Sequence, residues 1–103
     1  MEKSLKQPLS VERYLLFWNI LGERERLILR ELFYFEPDCA EFISRRRRLD
    51  LKEIQRGLKF LENLGILKVM FTKENYVYYE ISPEWKSFLR KNYFEGREDE
   101  SGS

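Results

Sequence analysis

Apolar residues recur at helical spacing through most of the chain, and the breaks between the periodic stretches fall at Gly, Pro and capping residues. The stretch VERYLLFWNIL predicts a helix over 11–21, with Ser10 as N-cap and Glu12 in its first turn. Tyr14, Leu15, Leu16, Phe17, Trp18, Ile20 and Leu21 cover nearly every face of it, the pattern of a helix buried on more than one side. Gly22 ends this helix, and GERERLILRELFYFEPD opens an amphipathic one over 23–35. Its apolar set is Leu27, Ile28, Leu29, Leu32, Phe33 and Phe35, and Pro37 stops it. Asp38, with Glu41 three residues on, reads as the capping box of a short third helix. Ala40, Phe42 and Ile43 are its expected inward residues, and it runs into Arg45, Arg46, Arg47 and Arg48.

The segment LDLKEIQRGLKFLENLGIL carries the clearest local signals. Asp50 is placed as N-cap with Glu53 at N3, and Leu49 and Ile54 bracket the start as a hydrophobic staple. Leu51, Ile54, Leu58 and Leu61 line one face, and Gly65, with Leu61 and Ile66 around it, gives a Schellman stop. The predicted helix spans about 51–64. Gly57 in its interior costs up to ~1 kcal/mol; close approach to DNA or to another helix would explain it.

Residues 66–71 and 76–81 are rich in β-branched and aromatic types and flank Thr72-Lys73-Glu74-Asn75, which predicts a β-hairpin. Ser82 then caps a final helix with Pro83 at N1, whose apolar residues are Trp85, Phe88, Leu89, Tyr93 and Phe94. The chain thus divides into a flexible arm over 1–9, one domain over 10–94 and a disordered acidic tail over 95–103.

Composition narrows the function. Leu, Ile, Val and Phe number 32 of 103 residues, enough for a core. No apolar run approaches a membrane span, and MEKSLKQPLS lacks the apolar stretch of a signal peptide. The single cysteine cannot form an intrachain disulfide, so a cytoplasmic, reducing setting is expected. With no histidine, no glycine-rich phosphate loop and no metal-ligand spacing, no enzyme activity, metal or cofactor is expected. Cys39, at a predicted helix N-terminus, reads as a structural thiol ahead of a redox switch.

The net charge of +1 conceals strong clustering. Residues 45–73 hold nine basic and three acidic side chains, a net of +6, while the flanking segments are both negative. Such clustering is the electrostatic footprint of a phosphate-binding face. It coincides with a short helix, a turn, a well-capped helix and a hairpin, the order of a winged helix-turn-helix. The expected fold is therefore α+β and mostly helical.

Over residues 11–94 the sequence resembles the winged-helix transcriptional regulators of the ArsR/MarR kind. ILGERERLILREL resembles the opening of their first core helix, LDLKEIQRGLKFLENLGILKV their recognition helix and first wing strand, and YVYYEIS their second wing strand. Two departures stand out: Arg48 occupies the turn position where these families often have glycine, and the paired Cys and His ligands of metal-sensing members are missing.

With the helix over 51–64 as recognition helix, Gln55 and Arg56 are expected at base edges. Arg45, Arg46, Arg47, Arg48, Lys52, Lys59 and Lys73 are expected at phosphates. A homodimer is expected, with Tyr14, Phe17, Trp18, Trp85, Phe88, Tyr93 and Phe94 packing across a two-fold axis. The competing reading makes these aromatics core alone and the arginine run a solvated face. The expected partner is double-stranded DNA, with any small-molecule effector left open. The alternative is a winged helix used for protein–protein contact in a transcription or replication assembly.

Overall fold

In the computed structural model, residues 11–94 are described. The expected arm, the Ser10 cap and the acidic tail lie outside the described residues. The elements run α1 Val11–Ile20, α2 Glu23–Phe35, β1 Asp38–Cys39, α3 Ala40–Arg47, α4 Leu51–Asn63, β2 Leu67–Lys73, β3 Tyr76–Ile81 and α5 Pro83–Asn92. The three strands form one antiparallel sheet in the order β1-β3-β2. This is a winged helix-turn-helix, with α3 and α4 as the helix-turn-helix unit and β2–β3 as the wing.

The core gathers one stripe from each helix. Ile28, Leu29 and Leu32 of α2, Ile43 of α3, Ile54, Leu58 and Leu61 of α4, Ile66 and Leu89 are all buried. Four joints hold the elements in place. Arg26 donates to the Trp18 carbonyl at 2.8 Å and lies over the Trp18 ring, closing the end of α1. The Glu25 carboxylate accepts from the Gly22 N–H at the start of α2. Asp50 accepts from the Glu53 N–H at 3.1 Å, as its capping role requires. After α4, Gly65 takes φ +83°, and the N–H groups of Gly65 and Ile66 donate to the carbonyls of Glu62 and Leu61, the paired bonds of the Schellman motif.

Several expectations are corrected. Asp38 does not cap α3. It pairs with Tyr79 as the first residue of β1, Cys39 takes the N-cap position, and the Asp38 carboxylate turns to Arg46 and to the Cys39 N–H. Phe42, expected inside, is 38% exposed, because the inward side of α3 is filled by Ala40 and Ile43. Phe35 and Leu51, expected in the core, are also exposed. Helix α1 buries Tyr14 and Trp18, with Leu21 just beyond its end, but leaves Leu16 and Ile20 largely open, so the other described residues cover only one of its sides.

Ser82 precedes α5 without a side-chain cap; its hydroxyl donates instead to the Ile66 carbonyl at 2.8 Å and ties the helix to the start of the wing. The wing link is two residues rather than four. Lys73 pairs with Tyr76, and Glu74 and Asn75 both adopt positive φ, the requirement of a type I′ hairpin turn.

Candidate nucleic-acid interface

The geometry of the interface starts at the α3–α4 turn. Arg48 adopts φ 56°, ψ 49°, the left-handed conformation that a glycine would take at lower cost. The turn is closed by the Leu49 N–H, which donates to the Ser44 carbonyl, and by the Ser44 hydroxyl, which donates to the Leu49 carbonyl at 2.6 Å. Arg48 thus stands exposed at the corner between the two helices.

Helix α4 is clamped from behind. Ile54, Gly57, Leu58 and Leu61 face the core. At Gly57 a Cβ would lie 2.5 Å from the Cδ1 of Ile28, so the backbone of α4 seats directly on α2. Beside it, Glu53 pairs with Arg24 of α2. Of the two explanations for Gly57, contact with another helix holds. With that side fixed and about 100° of rotation per residue, Lys52, Arg56 and Lys59 point outward, and all three are exposed. Gln55 is also exposed but sits on the wing flank. There it lines a cleft of about 240 Å³ with Ala40, Glu41, Leu58, Lys59, Asn75, Val77 and Tyr79.

The arginine run is not one surface. Arg46 donates to Glu31 at 2.7 Å and also pairs with Asp38, and its guanidinium stacks over the Phe35 ring at 4.3 Å. Both acids are almost wholly buried, so Arg46 is a structural tie between α2, β1 and α3 rather than a free phosphate ligand. Burial raises the Asp38 carboxyl above its ordinary value, against the opposing pull of Arg46. Arg47 sits 3.8 Å from the second Glu31 oxygen. Arg45 lies over the ring of Phe42. Among the described residues Arg45, Arg48, Lys52, Arg56 and Lys73 have no acidic partner, whereas Lys59 makes a 3.3 Å pair with Glu62.

The signal for Arg46 was invisible in sequence, because its partners lie fifteen and eight residues away and meet it only through the fold. Cys39 is fully buried and its thiol is pushed up by that burial, the opposite of an activated cysteine.

The aromatic residues expected at a dimer interface are placed largely inside the subunit. Tyr14, Trp18, Trp85, Phe88 and Phe94 are buried, and Phe17 and Tyr93 are half-buried. They contact one another: Tyr14 stacks on Phe88 at 4.9 Å and meets Trp85 edge-on, and Trp18 stacks on Tyr93 at 4.4 Å. The apolar positions that α1 leaves open are Leu15, Leu16 and Ile20.

A second aromatic group lies outside, on the face of the wing turned away from α4. Phe71 stacks on Tyr78 at 4.7 Å, and Phe42 meets Tyr76 and Tyr78 edge-on. Among the described residues no group of His, Cys, Asp and Glu could hold a metal ion. Nor is any described helix long and apolar enough to cross a membrane.

No protein-family model matches the sequence, and no curated protein sequence matches it. Solved structures do match by shape. A MarR family regulator from Neisseria meningitidis superposes with a TM-score of 0.64 at 11% identity, covering 85% of this chain and 63% of that one. The Staphylococcus aureus MarR, solved in complex with salicylate and kanamycin, superposes with a TM-score of 0.62 at 20% identity, covering 89% and 64%. The chain therefore has the fold of MarR-type winged-helix regulators and spans somewhat less than two thirds of the length of these two.

Proposed function

We propose that the chain is a sequence-specific double-stranded DNA-binding transcriptional regulator that acts as a homodimer and inserts α4 into the major groove. One observation carries this reading. On a winged helix, the recognition helix is locked to the core on one side and presents Lys52, Arg56 and Lys59 on the other. Arg56 is assigned to a guanine edge, where a bidentate contact to O6 and N7 is worth ~1–3 kcal/mol of discrimination. Gln55 reads from the wing flank. Arg45, Arg48, Lys52, Lys59 and Lys73 bind phosphates, while Arg46 and Arg47 serve chiefly to position α3. The dimer forms through α1 and α5, with Leu16 and Ile20 supplying apolar surface that the described residues of the subunit leave open. The protein would act in the cytoplasm by occupying an operator.

Selection of duplexes from a random pool, followed by affinity measurements with Arg56→Ala, tests the reading. Loss of both affinity and preference at one base pair per half-site is expected. Unchanged affinity and preference would show that α4 does not read bases through Arg56.

The outer wing face favours a second reading, a winged helix that contacts protein. Phe42 and Phe71 are exposed there beside the half-buried Tyr76 and Tyr78, a larger aromatic surface than phosphate contact needs.

A further inference from the structure

Helix α4 leaves two apolar side chains exposed, Leu51 in its first turn and Phe60 near its end, and Phe60 is the only aromatic ring among them. Phe60 is 44% exposed. Every other described aromatic ring either touches another ring, lies under a cation or, like Tyr79, is buried. Phe60 has no ring or cation partner among the described residues. It follows Arg56 by one helical turn, so the two side chains stand one above the other on the same surface. Its flank lies opposite that of Gln55: Gln55 leans to the wing, Phe60 to the side on which Glu53 meets Arg24.

We propose that Phe60 is a specificity-determining residue that packs against the 5-methyl group of a thymine in the major groove, next to the base pair read by Arg56. The proposal rests on the DNA-binding reading and goes beyond it by naming the base and the chemical group. The thymine methyl is the one apolar feature that base edges present in the major groove, and apolar side chains are the groups that read it. The surrounding cations Lys52, Arg56 and Lys59 supply the attraction to the duplex that brings an otherwise costly exposed phenyl ring to it. An exposed aromatic on a helix destined for water would gain nothing, whereas one pressed against a methyl group removes apolar surface of both from solvent.

The test uses duplexes selected by the wild-type protein. Each thymine is replaced in turn by deoxyuridine, which lacks only the methyl group and keeps the base pair. The wild type is expected to lose about fourfold in affinity at one thymine per half-site, the equivalent of one buried methyl. Phe60→Ala is expected to bind the thymine and uracil duplexes equally, and Phe60→Leu to keep part of the discrimination. Because Phe60 is exposed, both variants should fold, and circular dichroism checks this.

If the wild type binds its selected duplex but no thymine-to-uracil change matters, this inference fails and the DNA-binding reading stands. If the wild type selects no duplex, both fail. If Phe60→Ala changes the dimerisation constant while thymine discrimination persists, Phe60 belongs to a protein contact and the inference is overturned.

Discussion

Substituting Gly57 with alanine sets two effects of opposite sign against each other. In an exposed helix interior, Gly→Ala stabilises by about 0.8–1 kcal/mol, because alanine loses less backbone entropy. Here the added Cβ would stand 2.5 Å from the Cδ1 of Ile28, far inside van der Waals contact. Ile28 is completely buried, so its side chain can yield only by leaving its rotamer or by pushing α2 from α4. Overpacking of that kind costs about 1–3 kcal/mol. Gly57→Ala is therefore expected to destabilise by about 1 kcal/mol net, read as a lower urea midpoint at unchanged slope.

Ile28→Val deletes the Cδ1 atom that the new methyl would meet. Alone it should cost ~0.5–1.5 kcal/mol. Combined with Gly57→Ala it should cost less than the sum, with a favourable coupling of at least ~1 kcal/mol. Stabilisation by Gly57→Ala alone, or strict additivity of the pair, would refute the account of how α4 is seated.

Further outcomes follow from the divided arginine run and the buried acids. Arg46→Ala leaves Glu31 and Asp38 buried without their tie and should destabilise by about 2 kcal/mol, since a third of the Arg46 side chain remains open to water. Arg45→Ala should leave the urea midpoint within the equivalent of ~0.5 kcal/mol but lower the salt slope of DNA binding by about 1. Asp38 has a folded pKa above its unfolded value, so between the two values the folded state holds more protons and stability falls as pH rises. The stability of the wild type relative to Asp38→Asn should therefore drop as pH rises from about 3.8 through the raised value and then level off; urea titrations across the acid range read this directly, and a difference that grows with pH would contradict it.

What the sequence made legible was local. The Asp50 cap, the Gly65 stop and the bounds of α2 and α4 rest on residues within a few positions of one another, and the structure bears them out. What it hid was set by distant partners. Asp38 and Glu41 have capping-box spacing, but Asp38 sits beside Tyr79 in the sheet and faces Arg46, so strand pairing and an ion pair override the local preference. Four consecutive arginines look equivalent in sequence, yet Arg46 reaches both buried acids, Glu31 and Asp38, Arg47 reaches Glu31 alone, and Arg45 and Arg48 reach neither. The basic block marked the candidate interface only as a region, without separating Arg46 and Arg47, which meet buried acids, from the cations that have no acidic partner among the described residues. Phe60 went unremarked because a single apolar residue on a polar face breaks no periodicity; only its exposure distinguishes it.

The central claim, that the exposed cations of the helix-turn-helix and wing engage duplex DNA, is tested most directly by duplex affinity as a function of salt. Arg45, Arg48, Lys52, Lys59 and Lys73 are the assigned phosphate ligands of one subunit. Five such contacts predict a log–log slope of about −4.5 per engaged subunit, reduced by about one with Arg45→Ala and unchanged with the control Lys91→Ala on α5. A slope of that size is the expected result; no duplex binding at low salt, or binding indifferent to salt, would contradict the account.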